Sequence, residues 1–450
     1  MKGHLLRIGR IIGTVVGTTL LMTVAAPLTP AVARPDSPAQ QTADAGHLDR
    51  ATLDATLRAI HDAGMYGVYS SAREGTERWT GASGIADVDT GRPVTPGMRQ
   101  RVGSISKTFT SVAVLQQVER GRIRLDAPVR EYLPGLLPGE LGEQVTVRML
   151  LNHTSGIGDY VAGAFPSLKQ GSTASLDEER FRSIAPEELV RLGLAEPATG
   201  APGAQPGSYS NTNYVIAGLI LEKVTGQDAA TYITRNVIHR AGLRHTSYPR
   251  TPYIKGPHAR MYESWYGLID PPRDYSDYDM SWASTAGSIV STTDDLNRFY
   301  RALLTGRLIG DTALDEMLRT VPVQVGAAVT AYGLGIYTLD IPGCGSFWGH
   351  DGAVFGAGTI ALSTRDGSRQ IALGWNLMKY ERVNEAGDGW EPSPINDAIN
   401  THVVRALCPA LTPPAPQGLS RAQSATGPEL PTALRGVDLD PATWGTTARR

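Results

Sequence analysis

"RVGSISKTFTS", Arg101 to Ser111, sets three serines around one lysine where the chain begins to read as a helix. Successive residues of a helix turn by about 100°, so residues three apart share a face. Ser104 and Lys107 therefore adjoin, Ser106 points away, and Ser111 lies a turn further on among apolar neighbours. Phe109, Val112, Leu115 and Val118 trace the expected buried stripe, and Gly121 marks the helix end. A serine hydroxyl attacks only when a base takes its proton. Lysine can do so once its pKa of about 10.4 falls by about 3 units, a cost of ~4 kcal/mol. Burial and the positive end of a helix dipole both push it that way. S-x-x-K alone is a short string, equally served by a capping serine and a solvated lysine, so it needs partners.

Two arrive further along the chain. "PGSYSNTNY", Pro206 to Tyr214, supplies Tyr209 and Asn211, and "WGHDGAVFG", Trp348 to Gly356, supplies His350 and Gly352. Alternation along extended backbone puts each pair on one side, where both could face a common cleft. Rival schemes lack their residues: there is no G-x-S-x-G elbow, no P-loop and no G-x-G-x-x-G.

The rest of the chain sets the frame. Its 450 residues are 41% hydrophobic and 19% charged, enough for a large core. Net charge is −2 without a basic run, which argues against nucleic acid and for a small acyl substrate or peptide. Only six cations are lysines, so Lys107 stands out from an arginine background. Lys2, Arg7 and Arg10, then "IIGTVVGTTLLMTVAA" and "AVA" at Ala31 to Ala33, have the layout of a secretory signal over 1–33. The apolar run falls short of the ~20 residues that span a bilayer, so export without a stable membrane anchor is expected. Two cysteines, Cys344 and Cys408, suit one disulfide in an oxidising compartment or two buried thiols. Histidines are scattered, with no C-x-x-C and no H-E-x-x-H, so neither a metal nor a cofactor is expected.

Helix and strand patterns alternate at both ends. "LDRATLDATLRAIHDAG" spaces Leu53, Leu57 and Ile60 as a helix face, and "MYGVYSSAREGTERWTGASGIADVDTG" reads as a hairpin turning at Glu74-Gly75. Strand patterns return in "YGLGIYTLD", "GSFWGHDG" and "AGTIALSTRDGSRQIALGWNL", the last turning at Asp366-Gly367, followed by the helix "PINDAINTHVVRALC". The expected architecture is α/β: an antiparallel sheet built from both chain ends and flanked by helices (47–140 and 284–410), with an all-α insertion at 141–283. Residues 34–46 are expected to be flexible, and 411–450 a flexible or processed tail.

S-x-x-K, Y-x-N and H-x-G, in this order and with a helical insertion between, resemble the penicillin-recognising serine hydrolases: DD-peptidases, class C β-lactamases and related esterases and D-aminopeptidases. The likeness runs from about Leu53 to Cys408 through "LDAPVREYLPGLLP", "VTVRMLLNHTSG", "SWASTAG" and "YGLG", and is closest to secreted D-alanyl-D-alanine carboxypeptidases. It implies Ser104 as nucleophile, Lys107 as base, Tyr209 as proton relay, Asn211 as a ligand of the substrate amide and His350 as a cleft-wall residue. The backbone N–H groups of Ser104 and Ala353 would form the oxyanion hole, worth about 2.7–4 kcal/mol per donor. Phe165 and Trp282 match pocket-lining positions, Asp351, Gly352 and Ala353 complete the third motif, and Cys344 with Cys408 match a family disulfide. A monomer is expected.

The departures concern the substrate. Carboxypeptidases of this kind clamp the terminal carboxylate with an arginine on the strand before the third motif, where this chain has Tyr337. Asp351 replaces a hydroxyl donor by a like charge, and Ala353 replaces another hydroxyl; each change weakens charge-assisted binding. Arg260 or Arg273 could compensate. The leading expectation is a carboxypeptidase-like enzyme acting on cell-wall peptides, with a related esterase, amidase, D-aminopeptidase or β-lactamase as the alternative. A non-catalytic penicillin binder would need neither nucleophile nor base.

Overall fold

The computed structural model describes residues 48–411 except 327, 383 and 385–390. The expected signal segment 1–33, the segment 34–46 and all of 411–450 but Leu411 lie outside the described residues.

The first described element is α1 (Arg50–Asp62), whose N-terminus Asp49 caps by accepting from the Thr52 amide and whose Leu53, Leu57 and Ile60 are buried. The hairpin β1 (Gly67–Glu74) and β2 (Glu77–Asp87) follows. Its register opposes Glu74 to Glu77, so the turn is Gly75-Thr76, one residue later than expected; Gly75 has the positive φ that such a turn requires. Next come a 3₁₀ turn (Gly103–Ile105) and α2 (Ser106–Glu119). The helical segment includes α3 (Pro186–Ala195) and α4 (Asn211–Thr225), and α5 (Thr293–Leu304) and α6 (Asp311–Leu318) lead back to the sheet. Six strands then run as a meander: β3 (Val321–Val325), β4 (Ala328–Tyr332), β5 (Tyr337–Ile341), β6 (Gly345–Val354), β7 (Ala357–Ser363) and β8 (Arg369–Trp375). The last element among the described residues is α7 (Pro394–Leu407).

One sheet carries the order β2-β1-β8-β7-β6-β5-β4-β3, extended by two-residue edge segments at Arg92–Pro93 and Gly207–Ser208. It is antiparallel except where Gly207–Ser208 lies parallel to β3. The sheet is closed by β1 against β8, Val68 opposite Trp375, which joins the two ends of the chain as expected. The hairpin β3–β4 escaped sequence reading because Pro322 interrupts its apolar pattern. On one face α1 and α7 cover Leu57, Ile360, Leu373 and Val403; Thr56 and Ser70 both bond His402 there. Cys344 and Cys408 form a disulfide that ties the start of β6 to the end of α7, Cα to Cα 5.7 Å.

The other face carries α2, α4, α5 and the helical segment in one shared core. The expected stripe on α2 is too narrow a description: every residue from Ser106 to Gln117 is buried. A helix enclosed on all sides shows no amphipathic period. Most of its buried polar side-chain atoms are matched, since an unpaired one costs about 1–3 kcal/mol, Gln117 Oε1 being the exception. Thr108 donates to Gly335 O (2.7 Å), Thr110 to Thr285 O (2.8 Å) and Gln116 to Asn236 O (3.0 Å), while Phe109 stacks on Phe299 at 3.7 Å.

Candidate active site

Ser104 sits in the 3₁₀ turn at the head of α2, pressed against β6 with no side chain between. Gly103 has φ +52°, and a Cβ there would stand 2.6 Å from Ala353 N; a Cβ on Gly352 would stand 2.0 Å from Val102 O and 2.7 Å from Ser104 N. Both positions must be glycine for the turn and strand to meet this closely. The amide nitrogens of Ser104 and Ala353 flank this contact.

The three serines have separate fates. Ser106 Oγ accepts from the Ile289 amide (3.1 Å), Ser111 Oγ lies 3.2 Å from the Tyr214 hydroxyl, and only Ser104 adjoins Lys107, Oγ to Nζ 3.0 Å. Lys107 is fully buried. Its Nζ also donates to Asn211 Oδ1 (2.7 Å) and Ala286 O (3.0 Å), and lies 4.8 Å from the centre of the Tyr209 ring. Burial lowers the ammonium pKa to about 7 against the opposing pull of Asp159 and Asp351. A neutral amine has two N–H groups and one lone pair. With the N–H groups spent on Asn211 and Ala286, the lone pair is left for the Ser104 O–H.

Tyr209 and Asn211 face Lys107 from the entrance to α4, Asn211 being the first helical residue and Ser210 still extended (φ −143°, ψ 124°). The Tyr209 phenol makes no hydrogen bond of ordinary geometry, and burial holds its pKa well above the usual value despite the nearby Ser104. The phenol is therefore neutral. Its ring lies 4.2 Å from His153, itself buried with φ 61°. His153 Nδ1 accepts from the Ser210 amide (3.2 Å), which fixes the approach to Tyr209.

The third motif departs from the expected cleft wall. His350 is 0% exposed: its Nε2 accepts from the Tyr332 hydroxyl (2.8 Å), and its Nδ1 donates to Asp351 O. Burial takes its pKa to about 3, so it is a neutral ring standing behind Tyr209, centroids 6.3 Å apart. Asp351 is also 0% exposed; neither carboxyl oxygen has a hydrogen-bond partner among the described residues, Oδ1 lies 3.6 Å from His350 Nδ1, and burial pushes its pKa up to about 8. Phe165 is enclosed too and Trp282 nearly so, packed at 5.3 Å; Phe355 stacks on Trp282 (4.9 Å) and meets Phe165 (5.2 Å). Tyr337 is buried, its hydroxyl without a hydrogen-bond partner among the described residues, and brings no charge to that position. Neither compensating arginine is free: Arg260 bridges Asp87 (3.0 Å) and Asp274 (2.6 Å), and Arg273 pairs with Asp177.

Sequence reading missed His153, Phe355 and Asp159. Asp159 accepts from the Asn211 amide (2.8 Å), from Asn211 Nδ2 (2.7 Å) and from the Val161 amide (2.9 Å). An acid three residues beyond "HTSG" could have drawn notice to it, but no spacing rule links it to an asparagine 52 residues later.

Fold and site together define a class, and comparison with known proteins gives the family: residues 39–388 match the model described as Beta-lactamase, so the chain belongs to that family of serine hydrolases. Among solved structures, it is similar to a D-stereospecific amidohydrolase from Streptomyces sp., 35% identical, with TM-score 0.69, over 81% of this chain and 100% of that one. Among curated proteins it is 25% identical to the putative penicillin-binding protein PbpX of Bacillus subtilis over 64% of this chain, and 32% identical to the esterase EstB of Burkholderia gladioli over 44%. The matched regions span 64% and 52% of those two relatives' own lengths.

Proposed function

We propose that this chain is an exported serine acyl hydrolase that works through an acyl-enzyme and prefers amides, esters or peptides of D-configured residues over substrates held by a free terminal carboxylate. The observation that carries the chemistry is the Lys107 Nζ to Ser104 Oγ distance of 3.0 Å, with Lys107 at about 7 and its N–H groups directed elsewhere. Ser104 Oγ attacks the substrate carbonyl as Lys107 takes its proton. The N–H groups of Ser104 and Ala353 receive the oxyanion. Collapse breaks the bond to the leaving group, and Tyr209 hands the proton to the departing nitrogen or oxygen. Water then repeats the sequence on the acyl-Ser104 ester, releasing the acid and restoring the serine. Asn211 is read as a ligand of the substrate amide, and Phe165, Trp282 and Phe355 as the apolar backing of its pocket.

The substrate preference departs from the carboxypeptidase expectation. Tyr337 brings no charge, Arg260 and Arg273 are committed to carboxylates, and the amidohydrolase from Streptomyces is similar over its whole length. Carboxypeptidase action is the second reading, supported by the complete three-motif set and the penicillin-binding relative. The N-terminal pattern of residues 1–33 and the disulfide support export.

Two experiments test this. A fluorescent penicillin should label the protein, and Ser104→Ala should abolish labelling; full labelling of the variant means another nucleophile. Parallel hydrolysis of a D-Ala-D-Ala peptide, its C-terminal amide, nitrocefin and a p-nitrophenyl ester should rank the amide or ester first. A free-acid preference above about tenfold, ~1.4 kcal/mol, returns the assignment to carboxypeptidase.

A further inference from the structure

Asp159 belongs to neither the S-x-x-K, the Y-x-N nor the H-x-G string, yet it is tied to the residues that meet at Lys107. Its Oδ2 accepts two hydrogens from one residue, the backbone and side-chain amides of Asn211, and its Oδ1 accepts from Val161. Asn and Gln amides can be turned over at little cost unless partners distinguish oxygen from nitrogen. Here a carboxylate, which only accepts, holds the Asn211 nitrogen, so the Asn211 oxygen must face Lys107. Turned over, Asn211 would set an N–H against Lys107 and an oxygen against Asp159, losing both bonds. The same carboxylate receives the first amide of α4, where the helix dipole favours a negative charge.

Resting on the reading of Ser104 and Lys107 given above, we propose that Asp159 is a positioning residue of this site: through Asn211 it fixes which Lys107 hydrogens are engaged and so where the lysine lone pair points. It is also the main charge set against Lys107. The groups around that ammonium are Asp159 and Asp351, which favour its charged form, the neutral rings of His153 and His350, and the phenols of Tyr209 and Tyr214. Burial in turn raises the Asp159 pKa, opposed by Asn211, Val161 and Lys107.

Asp159→Asn separates this role from simple support. An asparagine offers one acceptor oxygen, so it cannot satisfy Asn211 and Val161 together, and it removes the charge. With a p-nitrophenyl ester as probe, kcat should fall about 10²-fold, and the midpoint of the pH–kcat/KM rise should move to lower pH, because a lysine without its neighbouring carboxylate loses its proton more easily. In an Asn211→Ala background the same change should add little further loss in kcat, each variant being read at its own pH optimum. Unaltered kcat and midpoint, or full additivity with Asn211→Ala, overturns the proposal. Should Asp159→Asn not fold, Asp159→Glu keeps the charge on a longer arm: kcat falls with the midpoint unmoved, and a wild-type kcat overturns the proposal. Ser104→Ala is the control, since penicillin labelling that survives it would refute the site itself rather than the part given to Asp159.

Discussion

The head of α2 and the middle of β6 meet across two glycines, yet they are built to different standards. At α2 every hydrogen of Lys107 has a named acceptor, and Ser106 and Ser111 are each bonded elsewhere. At β6 the Asp351 carboxyl has no hydrogen-bond partner among the described residues, its Oδ1 lying 3.6 Å from His350 Nδ1, and the hydroxyl of the adjoining Tyr337 has none among them either. Both groups are fully enclosed, so the contrast is not one of exposure. A proton-transfer pair requires every neighbouring bond to be settled, because a small displacement costs orders of magnitude in rate. A recognition wall can be altered one residue at a time while the chemistry persists, which is how related enzymes come to differ in substrate.

The comparison can be broken first at its better-built end. Lys107→Met, close in volume and without a base, should lower kcat by about 10²–10⁴-fold while the far-UV spectrum is unchanged. In the unaltered enzyme kcat/KM should rise with pH through a midpoint near 7, since the active lysine is the deprotonated one; a flat profile between pH 5 and 9 would exclude it as base. Smaller effects belong to β6. Tyr337→Arg combined with Asp351→Thr restores a cation and a hydroxyl, and should raise the ratio of free-acid to amide hydrolysis by about tenfold; no change would mean that carboxylate affinity is set elsewhere. The smallest effect is on stability. Asp351, at about 8 in the fold and near 3.8 when unfolded, binds its proton more tightly in the native state. Its contribution is therefore fully present below about pH 4 and is lost as pH rises through 8. Asp351→Asn should then show a Tm that gains on the parent between pH 5 and pH 8; a constant difference would show that the carboxyl titrates as an exposed one does.

What could be read from the sequence follows the same division. Helical spacing alone separates Ser104 from Ser106 and Ser111, because Ser104 and Lys107 lie within one turn. The sheet was legible from alternation in β6, β7 and β8, and the meeting of the two chain ends from the order of the patterns. Three things were hidden. α2 has apolar and small polar residues on all sides, so its enclosure leaves no period to detect. His350 was assigned to a cleft wall by its string, but the rings of Tyr209, Tyr332 and Tyr337 enclose it, and none of these is its neighbour in sequence. Asp159 acts on Asn211 across a loop, and only the folded chain brings the two together.

The pairing of β1 with β8 has a consequence for how the enzyme is made. Val68 waits for Trp375, and α1 for α7, so during synthesis β1 spends about three hundred residues with one edge unmatched. Ser104 and Lys107 emerge early too, but the strand bearing Gly352 and Ala353 comes near the end. Activity should thus appear all at once when β6 to β8 arrive, and a chain stopped short of Trp375 should carry Ser104 and Lys107 without a finished sheet to hold them, leaving an exposed strand edge for other chains to pair with.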